Sequence, residues 1–229
     1  MTWVVLAVIV LALHNVVGNE VLPAATYVPV NIATGAALFG IALGAGCSLA
    51  GLGLARSTLP KGVAAGAVAA LLVAVVLALA AAIPATRVLF EDRRVANVDG
   101  AELVYQAFVR IPVGTAAFEE LAFRGVLLAL LLRITSTVPA VMASSVLFGL
   151  WHVLPTLSAL RVNELAAGTG ARLGAVAGAV IATAVAGGLF CWLRLVTGSL
   201  VAPMIAHTAT NSFAIVTAYA VLGVVRTPT

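Results

Sequence analysis

Two adjacent carboxylates, Glu119 and Glu120, lie in the middle of a long apolar stretch of this sequence, and Arg124 follows the second by four residues. Residues four apart share one face of a helix, and an acid that precedes a base is the favourable order for an ion pair. Neighbouring helical residues point about 100° apart, so the other glutamate faces elsewhere. The spacing predicts that Glu120 pairs with Arg124 and that Glu119 faces a cavity. A purely structural ion pair would leave Glu119 unexplained.

Two histidines and an asparagine occupy other apolar stretches. His152 comes three residues before Pro155, and the residue before a proline disfavours helical backbone, so we expect a helix to end or kink near Leu154. His207 and Asn211 are four apart and share one helical face. Each feature also has a structural interpretation, because a histidine can be a packing residue and a polar pair can join two membrane helices.

Taken together, these groups suit hydrolysis by water. A carboxylate can act as general base, and imidazole or amide groups can donate to a developing oxyanion. Glu119, His152 and His207 would also make a three-ligand zinc site with one open position. The sequence contains no His-Glu-x-x-His motif, so any such site is assembled across helices. Zinc therefore stays an open alternative.

The composition decides what kind of element must carry these groups. Of the 229 residues, 63% are hydrophobic and only 9% are charged, against about 25% charged in soluble domains. This excludes a soluble enzyme, a disordered chain and a disulfide scaffold. The net charge of +4 comes from scattered basic residues without a Lys/Arg run, so nucleic acid is not an expected partner.

The sequence contains seven apolar runs, and all but the first exceed the roughly 20 residues that a membrane helix needs. They cover about Trp3 to Leu13, Val28 to Leu54, Val63 to Leu89, Val104 to Leu132, Thr137 to Leu160, Arg172 to Val196 and Ser199 to Val225. The first run is short but lacks the basic start of a signal peptide, so it favours a weak first span. The fourth is long enough to be tilted, or broken near Pro112. The sequence predicts an all-α polytopic integral membrane protein, with residues 1–229 as a single transmembrane domain.

The candidate groups fall at one depth in the predicted membrane helices. The midpoints of the fourth, fifth and seventh runs lie near Phe118, Phe148 and Ser212. Five candidate residues lie within five residues of a midpoint: Glu119, Glu120, His152, His207 and Asn211. At 1.5 Å per residue, all are within roughly 8 Å of the membrane midplane. A charge at that depth costs a few kcal/mol on insertion scales. The alignment predicts a catalytic cavity inside the membrane.

Three motifs occur in order along the chain: E-E-x-x-x-R at 119–124, F-x-x-x-H at 148–152 and H-x-x-x-N at 207–211. On these motifs the chain resembles the CPBP family of intramembrane proteases, which includes CAAX prenyl endopeptidases of the Rce1 type and bacteriocin-processing Abi proteins. The resemblance covers roughly residues 105–219, and the motif-bearing core is expected at about 104–225. It implies an all-helical core, often of eight helices, which makes seven or eight transmembrane helices the expected number.

The resemblance also implies roles for individual residues. By motif position, Glu119 would activate water, His152 would hold or polarise it, and His207 and Asn211 would stabilise the oxyanion. Glu120 would act with them. The supporting residues would be Arg124 and Phe148.

What the resemblance leaves open is whether a metal takes part. In a metalloprotease of this kind, zinc would be held by Glu119, His152 and His207. The implied partners are the lipid bilayer and a membrane-anchored protein or peptide substrate, and the expected location is a prokaryotic plasma membrane.

Two other functions fit the same residues. A proton- or ion-coupled transporter could use the buried carboxylates and histidines as a relay, but it predicts an internal repeat with matching broken helices, and the sequence shows none. A non-catalytic membrane protein acting in immunity is the second alternative.

Overall fold

The computed structural model describes residues 1–96, 98–164 and 168–226, which form helices joined by short loops and include no β-strand. The long helices are α1 (Thr2–Glu20), α2 (Tyr27–Gly44), α3 (Leu59–Ala82), α4 (residues 100–132), α5 (Thr137–Trp151), α6 (Val153–Val162), α7 (Thr169–Thr197) and α8 (Val201–Arg226). Short helical turns lie at Ala24–Thr26, Arg56–Thr58, Pro84–Arg87, Val88–Phe90 and Arg93–Ala96. The predicted all-α fold is confirmed.

Six helical segments in the described part of the chain are long and apolar enough to cross a membrane. They are Thr2–Glu20, Ala24–Gly44, Arg56–Ala82, Thr137–Val162, Thr169–Thr197 and Val201–Gly223. Helix α4 is long enough as well, but charged residues interrupt its apolar sequence between Arg110 and Arg124. The polytopic architecture is therefore confirmed, whereas the predicted number of seven or eight membrane helices is not.

The outer faces of these helices are apolar, as a membrane requires. On α3, for example, Leu71, Leu72 and Val76 are each more than half exposed. In water such faces would have to be covered, but lipid chains are as apolar as these side chains. The protein is thus an integral membrane protein.

Two helix boundaries differ from those that the hydropathy predicts. Helix α1 continues past Leu13 to Glu20, because His14 and Asn15 point towards neighbouring helices rather than into lipid. Helix α2 ends at Gly44 instead of continuing to Leu54. Gly46 adopts a left-handed φ of 78°, which glycine accepts without steric cost and which commonly ends a helix.

The second half of helix α4 lies inside the bundle, and its neighbours surround the candidate residues. Helix α8 packs against α3 and against the first half of α4, α7 packs against α5, and α2 packs along α4. On α3, Gly62 and Gly66 allow this close approach, because an added Cβ would meet Ser199 and Ile205 of the α7–α8 region. Small residues thus bring α8, which carries His207, close to α4.

The break near Pro112 and Gly114, one of the two alternatives for the fourth run, does not occur. Helix α4 is continuous, but it is wound as a wider π-helix over Gln106–Ala117 and again over Leu121–Leu127. Wider winding changes which backbone groups pair, and such segments often occur at functional sites. The buried amide of Asn31 on α2 donates to the carbonyl of Gly114 at 2.7 Å. A neighbouring helix thus supplies a hydrogen bond to the irregular backbone of α4, and the helix stays continuous.

Candidate active site

A buried polar chain links α4 to α8. Glu120 and Arg124 are both fully buried, and Arg124 Nη1 donates to Glu120 Oε1 at 2.9 Å. The same Glu120 oxygen lies 2.8 Å from His207 Nδ1. The predicted ion pair between Glu120 and Arg124 is therefore confirmed. Because a carboxylate paired with arginine accepts hydrogen bonds, Nδ1 is the nitrogen of His207 that carries the proton.

Aromatic rings enclose this chain. The guanidinium carbon of Arg124 lies 3.9 Å from the ring centre of Phe148 and 5.1 Å from that of Phe190, both within cation–π range. Phe190, on α7, also stacks on the imidazole of His207 with centroids 5.1 Å apart. The rings exclude water from the ion pair and fix the plane of the His207 imidazole.

Glu119 has a different environment from its neighbour. Its side chain is buried, and its Oε1 accepts a hydrogen bond from Trp151 Nε1 at 3.0 Å. Its Oε2 has no hydrogen-bond partner among the described residues. That oxygen lies 3.8 Å from His207 Nε2, which is too long for a direct hydrogen bond. A carboxylate oxygen and an imidazole nitrogen thus face each other across a narrow gap.

His152 stands where the fifth predicted run breaks, between α5 and α6. The break comes at His152, two residues before the expected position, because Pro155 has no N–H for the carbonyl of Trp151. His152 Nδ1 lies 2.8 Å from the Phe148 carbonyl, and a carbonyl only accepts, so Nδ1 is the donor. In the neutral ring, Nε2 therefore keeps its lone pair.

Phe148 lies between the two histidines. Its ring centre is 4.7 Å from that of His152 and 6.0 Å from that of His207, both in edge arrangements. The two imidazoles therefore border one aromatic ring, but no hydrogen bond joins His152 to Glu119 or His207 within the described residues. The structure brings Glu119, Glu120 and His207 into one cluster and places His152 at its edge.

Asn211 lies one helical turn after His207 on α8 and is half-buried. Within the described part of the chain its amide makes no hydrogen bond. The side chain is therefore available to a group that enters from outside the cluster.

The donors do not fit the expected three-ligand zinc site in this arrangement. Among the described residues, no three His, Cys, Asp or Glu side chains lie where they could hold one metal ion. Glu119 and His207 face each other, and His152, whose Nδ1 donates to the Phe148 carbonyl, could reach a metal only through Nε2. Zinc binding by Glu119, His152 and His207 stays a prediction.

A cavity of about 330 Å³ lies beside the cluster, between α1 and the α5–α6 pair. Its wall is mostly apolar and includes Leu11, Phe123 and Leu150, with Asn15 and Trp151 as its polar members. The predicted site residues do not line this cavity. Trp151 is the residue that connects it to Glu119.

The part of the chain that carries this cluster matches a known family. Residues 101–213 match the family described as Rce1-like, type II CAAX prenyl endopeptidase Rce1-like. The chain belongs to the Rce1-like family. No curated protein and no solved structure gave a significant match. Membership supports a CAAX-type intramembrane protease in general, and all three motifs of this Rce1-like chain lie within the matched residues.

Several residues of the cluster carried no signal in the sequence. Phe190 is one of many apolar residues in α7, and Trp151 lies within a motif at a position that the motif leaves unspecified. His14 and Asn15 interrupt the first apolar run, which was the one available indication that α1 turns a polar face inward.

Proposed function

We propose that this Rce1-like protein is an endopeptidase that hydrolyses a peptide bond in a membrane-associated or lipidated protein, with Glu119 as general base. The observation that carries the proposal is the buried Oε2 of Glu119, which has no partner among the described residues and lies 3.8 Å from His207 Nε2. One water oxygen placed beside this pair, at hydrogen-bond distance from each atom, can contact both. A carboxylate so placed can take a proton from that water.

Glu120 is the less suitable base, although it is adjacent. Its Oε1 already accepts from Arg124 and from His207, and the ion pair with Arg124 stabilises its charged form. Proton uptake by Glu120 would leave the buried guanidinium without a counter-charge, which is strongly unfavourable. We therefore assign Glu120 and Arg124 to holding the His207 ring.

The remaining groups act on the carbonyl and on the water. Because Nδ1 of His207 points at Glu120, Nε2 is the atom that faces the reaction. When the imidazole carries a proton on both nitrogens, Nε2 donates a hydrogen bond to the oxyanion. The Asn211 amide is the second oxyanion donor. Nε2 of His152 accepts from the attacking water and orients it.

One proton of the attacking water passes through Glu119 to the leaving amine. The water oxygen attacks the carbonyl carbon while Glu119 takes a proton, and the negative charge moves to the carbonyl oxygen. When the C–N bond breaks, Glu119 returns the proton to the leaving amine. The products are a carboxylic acid, which keeps the second proton of the water, and an amine; they ionise in solution to a carboxylate and an ammonium group, and the enzyme returns to its starting state.

The decisive experiment replaces Glu119 with Gln in the purified full chain, with a tagged membrane-anchored peptide as substrate. Glu119→Gln keeps the acceptor for Trp151 but removes the base, so cleavage should fall by about 10²-fold or more. Glu102→Gln, an exposed glutamate on the same helix, is the matched control and should cleave like wild type. Robust cleavage by Glu119→Gln would overturn the assignment. A transporter would instead show no cleavage and a pH-dependent flux that Glu119→Gln abolishes.

Asn211→Ala tests the oxyanion assignment. Loss of one donor should lower kcat by about 10²-fold. Thr210→Ala is the control, because Thr210 is exposed and its hydroxyl donates only to the carbonyl of Ala206 on its own helix. An unchanged kcat in Asn211→Ala would remove Asn211 from the mechanism.

Titration of the active wild type with a chelator tests the metal alternative. Loss of activity that added zinc restores would favour Glu119, His152 and His207 as ligands after rearrangement of His152. Unchanged activity would favour the base mechanism without metal.

A further inference from the structure

We infer that Trp151, held in place from α1, is a positioning residue for Glu119. The inference rests on the proposed function, since it concerns the base of that reaction. It is carried by three contacts of Trp151: one from its indole N–H, one to its carbonyl and one on its ring face.

The indole fixes the orientation of the carboxylate. Trp151 Nε1 donates to Glu119 Oε1 at 3.0 Å, and Oε2 is left without a partner among the described residues. A carboxylate held through one oxygen cannot rotate freely, so the other oxygen stays directed towards His207 Nε2 at 3.8 Å. Tryptophan offers a donor and no acceptor, and therefore it stabilises the charged carboxylate without competing for its proton.

The backbone of Trp151 is held by an asparagine from α1. In a continuous helix the Trp151 carbonyl would accept from the N–H of residue 155, but Pro155 has none. The buried amide of Asn15 supplies the missing donor at 2.8 Å. Asn19, one turn later, donates to the Asn15 backbone carbonyl at 2.8 Å and to its Oδ1 at 3.3 Å. This pairing orients the Asn15 side chain with its NH₂ towards Trp151.

The ring of Trp151 is held by a histidine from α1. The imidazole of His14 stacks on the indole with centroids 5.8 Å apart and planes 3° from parallel. His14 Nδ1 lies 2.9 Å from Thr34 Oγ1 of α2, which fixes the imidazole in turn. Phe118 and Phe123 of α4 close the other approaches, with centroids 6.0 Å and 5.6 Å from the indole.

The contacts that hold Trp151 come from helices outside the residues that match the family. All predicted site residues lie within residues 101–213, which match the family, but Asn15, His14 and Thr34 lie outside them. The N-terminal helices therefore belong to the active site through Trp151.

Trp151→Phe in the full-length protein tests the role by kinetics. The substitution keeps an aromatic ring against His14 but removes the N–H donor. Misplacing a reacting group by a small distance costs up to about 10²-fold in rate, so kcat should fall by roughly 10- to 100-fold while KM stays within about twofold. Trp192→Phe, at an exposed position on α7, is the matched control and should leave both constants unchanged. Asn15→Leu, of similar shape, should lower kcat in the same direction.

A spectroscopic test reads the contact without activity. With Trp3→Phe and Trp192→Phe, Trp151 is the single tryptophan of the chain. The ultraviolet resonance Raman marker of the indole N–H should then report a hydrogen bond, and Glu119→Leu should weaken that bond. A marker that does not change in Glu119→Leu would overturn the inference.

The outcomes separate the two proposals. If wild type hydrolyses the peptide and Trp151→Phe has the same kcat, the positioning role is wrong and the proposed function stands. If Trp192→Phe loses as much activity as Trp151→Phe, the positioning role is equally wrong. If wild type does not hydrolyse the peptide, the proposed function fails and its base needs no positioning, while the Raman marker still reports the contact.

Discussion

Adjacent glutamates have different environments because one is paired with a guanidinium and the other is not. Glu120 shares one oxygen between the Arg124 guanidinium and the His207 imidazole. The Oε2 atom of each glutamate has no hydrogen-bond partner among the described residues, but Glu119 lacks the guanidinium partner that Glu120 has. In a low-dielectric interior a carboxylate without a cation is expensive to maintain. Its presence beside an ion pair is more readily explained by chemistry than by stability.

The ion pair itself should be tested by removing one partner and then both. Arg124→Met leaves the Glu120 charge uncompensated and should destabilise the fold by about 3–5 kcal/mol. Adding Glu120→Gln removes that charge, so the double variant should recover part of the stability. Thermal unfolding in detergent measures both. Equal stability of the single and double variants would show that the guanidinium does not act as the counter-charge.

At this scale the sequence predicted contacts within one helix better than contacts between helices. The four-residue spacing identified the Glu120–Arg124 pair, because side chains four apart on a helix are neighbours. The contacts of His207 with Glu120 and Phe190 depend on how α8 and α7 are rotated about their axes. No local sequence pattern predicts that rotation, because all faces of an apolar helix carry similar side chains.

Among the elements, the break between α5 and α6 has a clear local cause. Pro155 removes a donor and leaves no room for the carbonyl of Trp151, so the helix stops and His152 adopts φ −83° and ψ 0°. The break lets His152 Nδ1 turn back to the Phe148 carbonyl. The break between α5 and α6 thus determines the position of His152, a candidate catalytic side chain.

Pro155→Ala should therefore lower activity without lowering stability. Alanine restores the missing N–H, so α5 and α6 can join into one helix and His152 rotates away from its present position. We expect kcat to fall by about tenfold or more while Tm is unchanged or higher, since proline disfavours helix interiors by about 3 kcal/mol. Pro139→Ala, at an exposed position in the first turn of α5, is the control and should change neither. Full activity of Pro155→Ala would show that the break does not position His152.

The sequence predicted the ends of helices where the composition changes from apolar to polar. It did not predict ends that depend only on backbone geometry. The end of α2 depends on Gly46 in an apolar stretch, and the run therefore continues in the hydropathy although the helix does not. The wide winding of α4 was likewise not predicted, because Pro112 suggests a break in the helix. Only the packing of α2 shows that a side chain donates a hydrogen bond to the backbone there.

Across the whole molecule, a polar clasp joins two connections outside the membrane helices. Asp92, between α3 and α4, accepts from the side chain and backbone of Arg94 and from the amide of Asn163, which follows α6. Partial burial raises the pKa of Asp92, but these hydrogen bonds outweigh it and hold the pKa below its ordinary value of 3.8. The clasp thus ties α6 to the α3–α4 connection.

The pH dependence of this clasp follows from the direction of the shift. A carboxyl whose folded pKa is depressed stabilises the fold above its unfolded pKa, and the stabilisation is lost as pH falls through the folded pKa. Asp92→Asn should lower Tm by about 1–3 °C at pH 7. The difference from wild type should shrink below the ordinary pKa of 3.8. Glu91→Gln, at the exposed neighbour, is the control, and a difference that does not depend on pH would contradict the assignment.

The depth of the site should decide which substrates reach it. Glu119 and His207 are no more than 5% exposed, and the surrounding helices present apolar faces outward, so on the proposed function we expect a peptide bond to enter from the membrane. A lipid anchor contributes about 0.8 kcal/mol for each buried CH₂ and raises the local concentration of the substrate at the membrane. Two peptides of one sequence, with and without an acyl or prenyl chain, should therefore differ in kcat/KM by about 10²-fold or more in liposomes. The gain should appear mainly in KM, because the anchor contributes equally to the bound substrate and to the transition state. Glu119→Gln should cleave neither peptide, which assigns the cleavage to this site. Equal kcat/KM for the two peptides would mean that substrates reach the glutamates from water, and the proposed route from the membrane would be wrong.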